Sequence, residues 1–428
     1  MLLIQLTNHR RTKTQISFHH TPNSPKRVKT VSDLRCGHGK QIDLGKIPAY
    51  SAWTQRTLVA MDWQTADKNC DFYLYSAYRD QIAWKIRIMG LSRRLNGSVS
   101  IRCYIWKTRA TRKPEISVGD IKYISGGKNR YTGTITSCPV KKGQRPFAVS
   151  VTVNDFKNVT NIIEVRYPDR KRTDITVCIP VVHSNFRETN KTISIIETNR
   201  LLGAQRFVIY YSSASPDVNT ILDTYVNDGL LEIVNWALPV RNAHYYGQDV
   251  VNNDCLYRNM FVSRYIMFAD LDEVIMPKKH ADLRSYIKSV ERKFPNVGSL
   301  LFQNAFFCTN SEWKPDTDGL SNSADVQKYD VTPLLRIRRD KTEFPWKRRS
   351  KQIVISERVS AVRIHLIDKD MYRAGFKVHL VSPDDGLLHH YRFCRGVTET
   401  ARDDRVRIHS DQLLANVKHR HLTIKHET

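Results

Sequence analysis

The chain has 428 residues, 68 of them Lys or Arg against 42 Asp or Glu, for a formal net charge of +26. A hydrophobic share of 41% and an aromatic share of 10% exclude a disordered chain and are ample for two or three packed domains. The basic excess favours an anionic partner without choosing among nucleic acid, acidic membrane and a phosphorylated ligand.

Residues 1–48 are rich in basic, Thr, Asn and His residues and read as a loose leader. The apolar run at residues 1–6 is far too short for a membrane span or a signal core. Residues 49–170 read as β-rich. Segments 72–75, 84–88, 99–106 and 147–153 show period-two alternation with β-branched and aromatic residues, and Asn96-Gly97 and Gly126-Gly127 mark turns between them. A small antiparallel sheet, sandwich-like, is expected.

The pattern changes near residue 174. A first strand is expected at 176–182, then a helix at 189–202 closed by Gly203 and a strand at 207–211. Ser215 and Pro216 open the next helix as N-cap and first helical residue. Val218, Ile221, Leu222 and Tyr225 form its apolar face, and Gly229 ends it. A strand at 230–236, a helix at 248–262, a strand at 264–270, a helix at 282–294 and a strand at 297–302 follow. Strands alternating with short helices predict an α/β domain over 171–400 with a mostly parallel sheet, and 401–428 form a helical tail.

The apolar strand before Asp270-Leu271-Asp272-Glu273 is the most informative stretch. In open α/β sheets ligands sit at the carboxyl ends of strands, so two carboxylates arrive where a ligand binds. Carboxylates suit Mg²⁺ or Mn²⁺, which share their coordination with substrate phosphates. Pro277 beyond them reads as a turn. The bland alternative is an acidic strand end that caps a turn. Gln248, Asp254 and Arg258, on the loop and helix before that strand, offer amide, acid and guanidinium to a nucleotide-sugar, against ordinary capping and surface pairing. His390, behind Leu387-Leu388, is a candidate ligand beside the metal, with His365 as a rival. Residues 347–351, including Lys351, could neutralise a diphosphate. No Walker loop, Gly-x-Ser-x-Gly, His-Glu-x-x-His or dinucleotide glycine fingerprint is present.

Eight cysteines occur with no Cys-x-x-Cys pair. Disulfides are therefore possible, but their connectivity is open. With sequons at Asn96, Asn158 and Asn190 they lean toward a secretory lumen.

In order, Tyr246-Gly247-Gln248, Asn253-Asp254-Cys255-Leu256-Tyr257-Arg258, Phe268-Ala269-Asp270-Leu271-Asp272-Glu273-Val274-Ile275-Met276-Pro277 and His390-Tyr391-Arg392 closely resemble glycosyltransferase family 92, over about residues 174–400. Tyr75-Ser76-Ala77-Tyr78-Arg79-Asp80 and Val99-Ser100-Ile101 resemble the β-rich region that precedes the catalytic domain of that family. The resemblance implies a GT-A (Rossmann-like) nucleotide-sugar domain and an inverting transfer, with UDP-galactose as donor and a glycan or glycoprotein as acceptor. It also implies a Golgi membrane or lumenal location. The anchoring helix usual in the family is not legible here. In that reading Asp270, Asp272 and His390 hold Mn²⁺ or Mg²⁺, and Gln248, Asp254, Arg258 and Lys351 contact the donor. For the general base the sequence offers Glu312 or Asp316, which follow the expected strand at 297–302, with Glu273 as the alternative against its reading as a salt-bridged acid behind the ligands. A basic nucleic-acid-binding protein or nuclease is the rival. A two-metal nuclease needs more carboxylates than this one cluster supplies, and an RNA reader needs an aromatic sheet face that is not evident, so no nucleic acid is expected.

Overall fold

The computed structural model describes residues 63–94, 98–108, 113–125, 131–154, 159–168, 173–310, 312–397 and 399–427. The expected leader at 1–48 lies outside the described residues, as do Asn96 and Asn158. The first strands are β1 Gln64–Thr65, β2 Phe72–Asp80, β3 Lys85–Arg93, β4 Ile101–Trp106, β5 Glu115–Tyr123, β6 Tyr131–Pro139, β7 Ala148–Val153 and β8 Ile163–Arg166. They run in the order β1-β2-β3-β6-β5-β4-β7-β8, and β8 also pairs with β2. The sheet therefore closes into a barrel rather than packing as the expected sandwich. The closure is a parallel pairing, Ala77 with Val165 and Tyr78 with Arg166, and it leaves β2 with partners along both edges, which removes an exposed strand edge.

Alternation along β2 explains why the barrel does not stand alone. Phe72, Leu74 and Ala77 face the barrel interior. Tyr73, Tyr75 and Tyr78 join a second core with Val208, Tyr210, Trp236, Val251 and Leu256 from the following segment. A register shift between Leu74 and Ser76 changes the parity, as a bulge does, and keeps the tyrosines on the outer face. The fit is close: a Cβ on Gly133 of β6 would lie 2.7 Å from that of Asp249.

Downstream come β9 Thr173–Val182, α1 Thr189–Leu201, β10 Ala204–Tyr211, α2 Pro216–Asn227, β11 Leu231–Asn235, α3 Gln248–Asn259, β12 Ser263–Phe268, β13 Glu273–Pro277, α4 Leu283–Lys293, β14 Val297–Phe302 and β15 Asn304–Cys308. Two short helices follow, α5 Ser323–Lys328 and α6 Thr332–Leu335. Then come β16 Arg338–Asp340, β17 Lys351–Ile355, β18 Lys377–Leu380, β19 Gly386–Arg392, β20 Thr400–Arg402 and finally α7 Ser410–Glu427. The Ser215 side chain accepts the Val218 N–H, with Pro216 in the first turn, and Asp282 caps α4 through the Ser285 N–H at 2.7 Å.

The central sheet has the order β11-β10-β9-β12-β17-β14-β18. Its first four strands are mutually parallel, as the alternation of strand and helix predicts, but β17 runs antiparallel to both β12 and β14. On one face Ile175, Val177, Phe207 and Ile209 pack with α1, α2 and α4 and with Leu413, Leu414 and Val417 of α7. On the other face lie α3 and the barrel. A third, smaller sheet has the order β13-β19-β15-β16-β20. Pro277 does not form the expected turn. It ends β13, paired with Gly386 of β19.

Disulfides join Cys103 to Cys138, Cys178 to Cys255 and Cys308 to Cys394, and Cys70 is also disulfide-bonded. Asn190 is half-buried on the first turn of α1, and the Thr192 hydroxyl donates to the Glu188 carbonyl at 2.6 Å. That sequon therefore lies on a packed helix, not on the surface loop a glycan acceptor uses. Among the described residues no helix is long and apolar enough to cross a membrane.

Candidate active site

The parallel strands β9 and β12 end at one rim, and a cleft of about 700 Å³ opens there. Its floor is Ile179 to Val181 at the end of β9 and Asp270 to Asp272 just past β12. Its sides are Lys191 from α1, Tyr245 and Tyr246 ahead of α3, and Gln248 at the start of α3. The volume falls within the usual range for small-molecule sites, and the position is where an open α/β sheet binds ligands.

The turn before α3 is unusual. Tyr245, Tyr246 and Gly247 take φ of 42°, 54° and 77°, so three successive residues are left-handed. Only glycine does this without cost, and such strain clusters at functional sites. Trp236 strap-bonds the turn: its indole N–H donates to the Tyr246 carbonyl at 2.9 Å. A Cβ on Gly247 would stand 3.0 Å from the Trp236 and Leu238 side chains. The Tyr246 ring stacks on His183 with centroids 3.6 Å apart, so an aromatic wall faces the acidic floor.

Five ionisable groups meet at the other end of the cleft. Asp270 and Asp272 lie in the turn between β12 and β13, and Glu273 begins β13 opposite His390 of β19. Lys351, first residue of β17, reaches Asp270 at 2.9 Å and Glu273 at 3.1 Å. His390 Nε2 lies 3.3 Å from Asp272, and its Nδ1 lies 3.4 Å from Glu273 and 3.2 Å from the Asn304 amide. The Glu273 carboxylate also accepts the Asp270 N–H at 2.9 Å. Lys351 and Glu273 are buried, whereas the Asp272 and Asp270 side chains are 34% and 37% exposed and open to the cleft.

Burial pushes the Glu273 carboxyl up to about 7, against the pull of Lys351. Burial disfavours the charged forms of His390 and Lys351 too. The hydrogen bond to Asp272 and the charge of Glu273 nevertheless hold the imidazole above its ordinary value, and Asp270 and Glu273 raise the ammonium. Asp272 is pulled below the usual carboxylate range: its burial is outweighed by His390. Asp272, Glu273 and His390 each offer one ligand atom within 4.8 Å of the others. Two carboxylates and an imidazole form a donor set that suits a divalent ion such as Mn²⁺.

The structure thus brings together Asp270, Asp272, Lys351 and His390, with Gln248 on the same cleft. It also supplies Glu273, weighed from the sequence as an alternative base against a salt-bridged acid behind the ligands, and here salt-bridged to Lys351 at 3.1 Å. His365 lies outside the ligand cluster, with Nδ1 3.1 Å from the Ser350 carbonyl. Asp254 and Arg258 stand elsewhere. Asp254 is buried on α3 and accepts from Ser76 and Tyr78 of the barrel, from Tyr210 of β10 and from Arg258 at 3.0 Å. Arg258 also reaches Glu232 at 3.0 Å. The pair locks barrel to sheet and does not line the cleft. Glu312 and Asp316 line a separate cavity of about 310 Å³. Asp316 is held there by Arg402 at 3.0 Å and Arg407 at 3.3 Å, which leaves it engaged by cations rather than facing the acidic turn. Of the remaining basic group, Arg349 lies over the Phe306 and Phe344 rings at 5.5 and 5.4 Å, and Phe306 in turn meets the His390 ring edge at 5.4 Å.

An α/β sheet with a carboxylate and imidazole cluster at its rim has charged groups where open α/β sheets receive ligands. The chain belongs to glycosyltransferase family 92, whose family model matches residues 173–424. It is similar to the β-1,4-galactosyltransferase galt-1 of Caenorhabditis elegans, at 25% identity over 172 residues. That match spans 34% of this chain and 40% of the relative, less than half of the relative's length. Among solved structures it is similar to TarS of S. aureus (TM-score 0.28, 12% identity, covering 59% of this chain and 72% of that one). It is also similar to glucosyl-3-phosphoglycerate synthase of Mycobacterium tuberculosis crystallised with phosphoglyceric acid (TM-score 0.27, 12% identity, covering 58% and 79%).

Proposed function

We propose that this chain transfers a hexose, galactose, from a UDP-sugar to a hydroxyl of a glycan acceptor with inversion, on a GT-A scaffold, and that transfer requires a divalent cation. One observation carries the reading: the Asp272, Glu273 and His390 cluster stands at the acidic end of a nucleotide-sized cleft on the carboxyl rim of parallel strands. Family membership and the similarity to a galactosyltransferase support the choice of reaction and donor.

Asp272 and His390 would hold the ion, with Glu273 behind them. A bound Mn²⁺ or Mg²⁺ would neutralise the negative charge that builds on the departing diphosphate. The chain's own groups do the rest. The Tyr246 and His183 stack offers a flat face for the uracil, since base stacking on aromatic rings is favourable for any base. Lys191 stands on the same cleft and adds positive charge toward the phosphates. Gln248 supplies an amide for hydroxyl groups. Asp270, with one oxygen fixed by Lys351, is left to accept from a hydroxyl of the ribose or the donor sugar. Lys351 keeps the acidic turn from repelling itself before a cation arrives.

The test is a donor screen: calorimetry with UDP-galactose, UDP-glucose and UDP-N-acetylgalactosamine, each with Mn²⁺ and with chelator, followed by UDP release assays. Tightest binding and fastest release with UDP-galactose, both lost on chelation, are expected. Equal turnover in chelator would remove the metal from the reading, and absence of binding by every UDP-sugar would remove the transferase.

A further inference from the structure

A second cavity, of about 670 Å³, lies on the barrel. It is walled by Arg79 and Trp84 from the β2–β3 hairpin, Gln144 and Arg145 before β7, Tyr167 after β8, and Phe261 beyond α3. Gln248 at the start of α3 lines the catalytic cleft and Phe261 follows its end. A helix of 12 residues spans about 18 Å, so this cavity is remote from the acidic turn and not an extension of it.

Its chemistry is unexplained by the fold. Arg79 is 2% exposed, and its Nη2 is buried with no hydrogen-bond partner. Its other nitrogens donate only to backbone carbonyls, of Asp80 at 2.7 Å, Lys85 at 3.2 Å and Gln144 at 3.4 Å. Among the described residues no carboxylate pairs with Arg79 or Arg145. The nearby acids are committed elsewhere: Asp80 to Arg87 and Arg373, both at 3.1 Å, and Glu115 to Lys107 at 3.1 Å and Lys141 at 3.5 Å. A buried donor left unmade costs stability, and a buried cation without an anion costs more. Burial accordingly pulls the Arg79 guanidinium below its ordinary value.

Each guanidinium instead lies against an aromatic ring, Arg79 over Trp84 at 5.0 Å and Arg145 over Tyr167 at 4.7 Å. Trp84 is 36% exposed, and its backbone is left-handed, at φ 52°. Planar guanidiniums recognise carboxylate, sulfate and phosphate oxygens through paired N–H donors. Exposed rings with an apolar body and a polar edge suit the C–H face of a pyranose. Few ligands match both in one cavity.

We propose that this cavity binds an acidic saccharide, a pyranose bearing a carboxylate or a sulfate, and so tethers an anionic glycan to the barrel away from the catalytic cleft. The anion meets Arg79 and Arg145, and the ring lies against Trp84. This site is independent of the transfer reaction.

The test is calorimetry on the full chain with Mn²⁺ and UDP present, so that the cleft is filled. The probes are 3′-sialyllactose, a sulfated heparin disaccharide, lactose and inorganic sulfate. At least one acidic sugar should bind at least tenfold more tightly than both lactose and sulfate, and which one binds tells carboxylate from sulfate. The surface substitutions Arg145→Ala and Trp84→Ala should each weaken that binding at least tenfold while UDP release from the donor stays at the wild-type rate. Arg79→Lys is informative only if it folds; the two exposed positions decide the matter without it. Acidic sugars binding no better than lactose, or sulfate binding as tightly as either sugar and indifferent to Trp84→Ala, would overturn the proposal.

Discussion

Replacing Asp272 by Asn tests the site most directly, because the substitution removes charge and almost nothing else. Among the described residues the side chain's ion pair is with His390, while the backbone carbonyl accepts the Tyr391 N–H at 2.8 Å and would continue to do so. A unit negative charge at the 3.3 Å separation seen for His390 is worth about 5 kcal/mol to a single positive charge at an effective dielectric near 20. With 34% of the side chain exposed, solvent screening reduces this to roughly 3 kcal/mol. Each 1.4 kcal/mol is tenfold, so Asp272→Asn should lose at least about two orders of magnitude in Mn²⁺ affinity, because a carboxylate attracts a dication more strongly than a single positive charge at the same distance. UDP-galactose hydrolysis at subsaturating Mn²⁺ should fall in parallel. Calorimetric Mn²⁺ titration, UDP release and a thermal melt together make the assay. Mn²⁺ binding within threefold of wild type, with undiminished hydrolysis, would refute the argument. A parallel loss of melting temperature would show that the residue was holding the fold instead.

Three further outcomes are expected. His389 is buried against Phe307 at 4.1 Å, and burial lowers its pKa to about 4, whereas an unfolded histidine titrates near 6.5. The unfolded chain then binds the extra proton. This residue's contribution is full above about pH 6.5 and declines as pH falls toward 4, by roughly 3 kcal/mol in all; urea midpoints across that range should show the decline in wild type and lose part of it in His389→Gln. Asp254→Ala should cost about 3–5 kcal/mol, because it takes the buried carboxylate from beside Arg258 and leaves the Ser76, Tyr78 and Tyr210 hydroxyls without their acceptor, while the folded fraction keeps its affinity for UDP; a selective loss of UDP binding would restore this residue to the donor site. Tyr246→Ala should weaken UDP binding about tenfold, the lower part of the range for base stacking on an aromatic ring, with little effect on melting because the ring is half exposed.

The local elements were legible because their signals are local. Ser215-Pro216 and Gly229 delimit α2, and Gly203 follows α1, through caps that depend on a few adjacent residues. The Asp270 and Asp272 pair was legible because an apolar strand running into two acids is itself a sequence pattern. His390 was found from the same logic. Glu273 was harder: a residue adjacent to the acidic pair points where its strand pairing points it, and only β19 across from it decides that. Asp254 and Arg258 misled because a buried acid with four donors and a donor-binding acid look alike in a sequence. The tyrosines that satisfy Asp254 come from β2 and β10, more than a hundred residues away for β2 and over forty for β10. The acids at Glu312 and Asp316 were chosen for following a strand, but the chain turns them into another cavity.

Composition, caps and hydrophobic periodicity by themselves determined that residues beyond about 174 form an α/β layer with two acids at a strand end, because those features depend on neighbours within one turn or one pleat. The closure of the barrel, the antiparallel insertion of β17 and the meeting of Lys351, Glu273 and His390 were decided only by tertiary structure. Strand order is set by long-range pairing and by which apolar faces can be buried together, and no short stretch of chain records its partner.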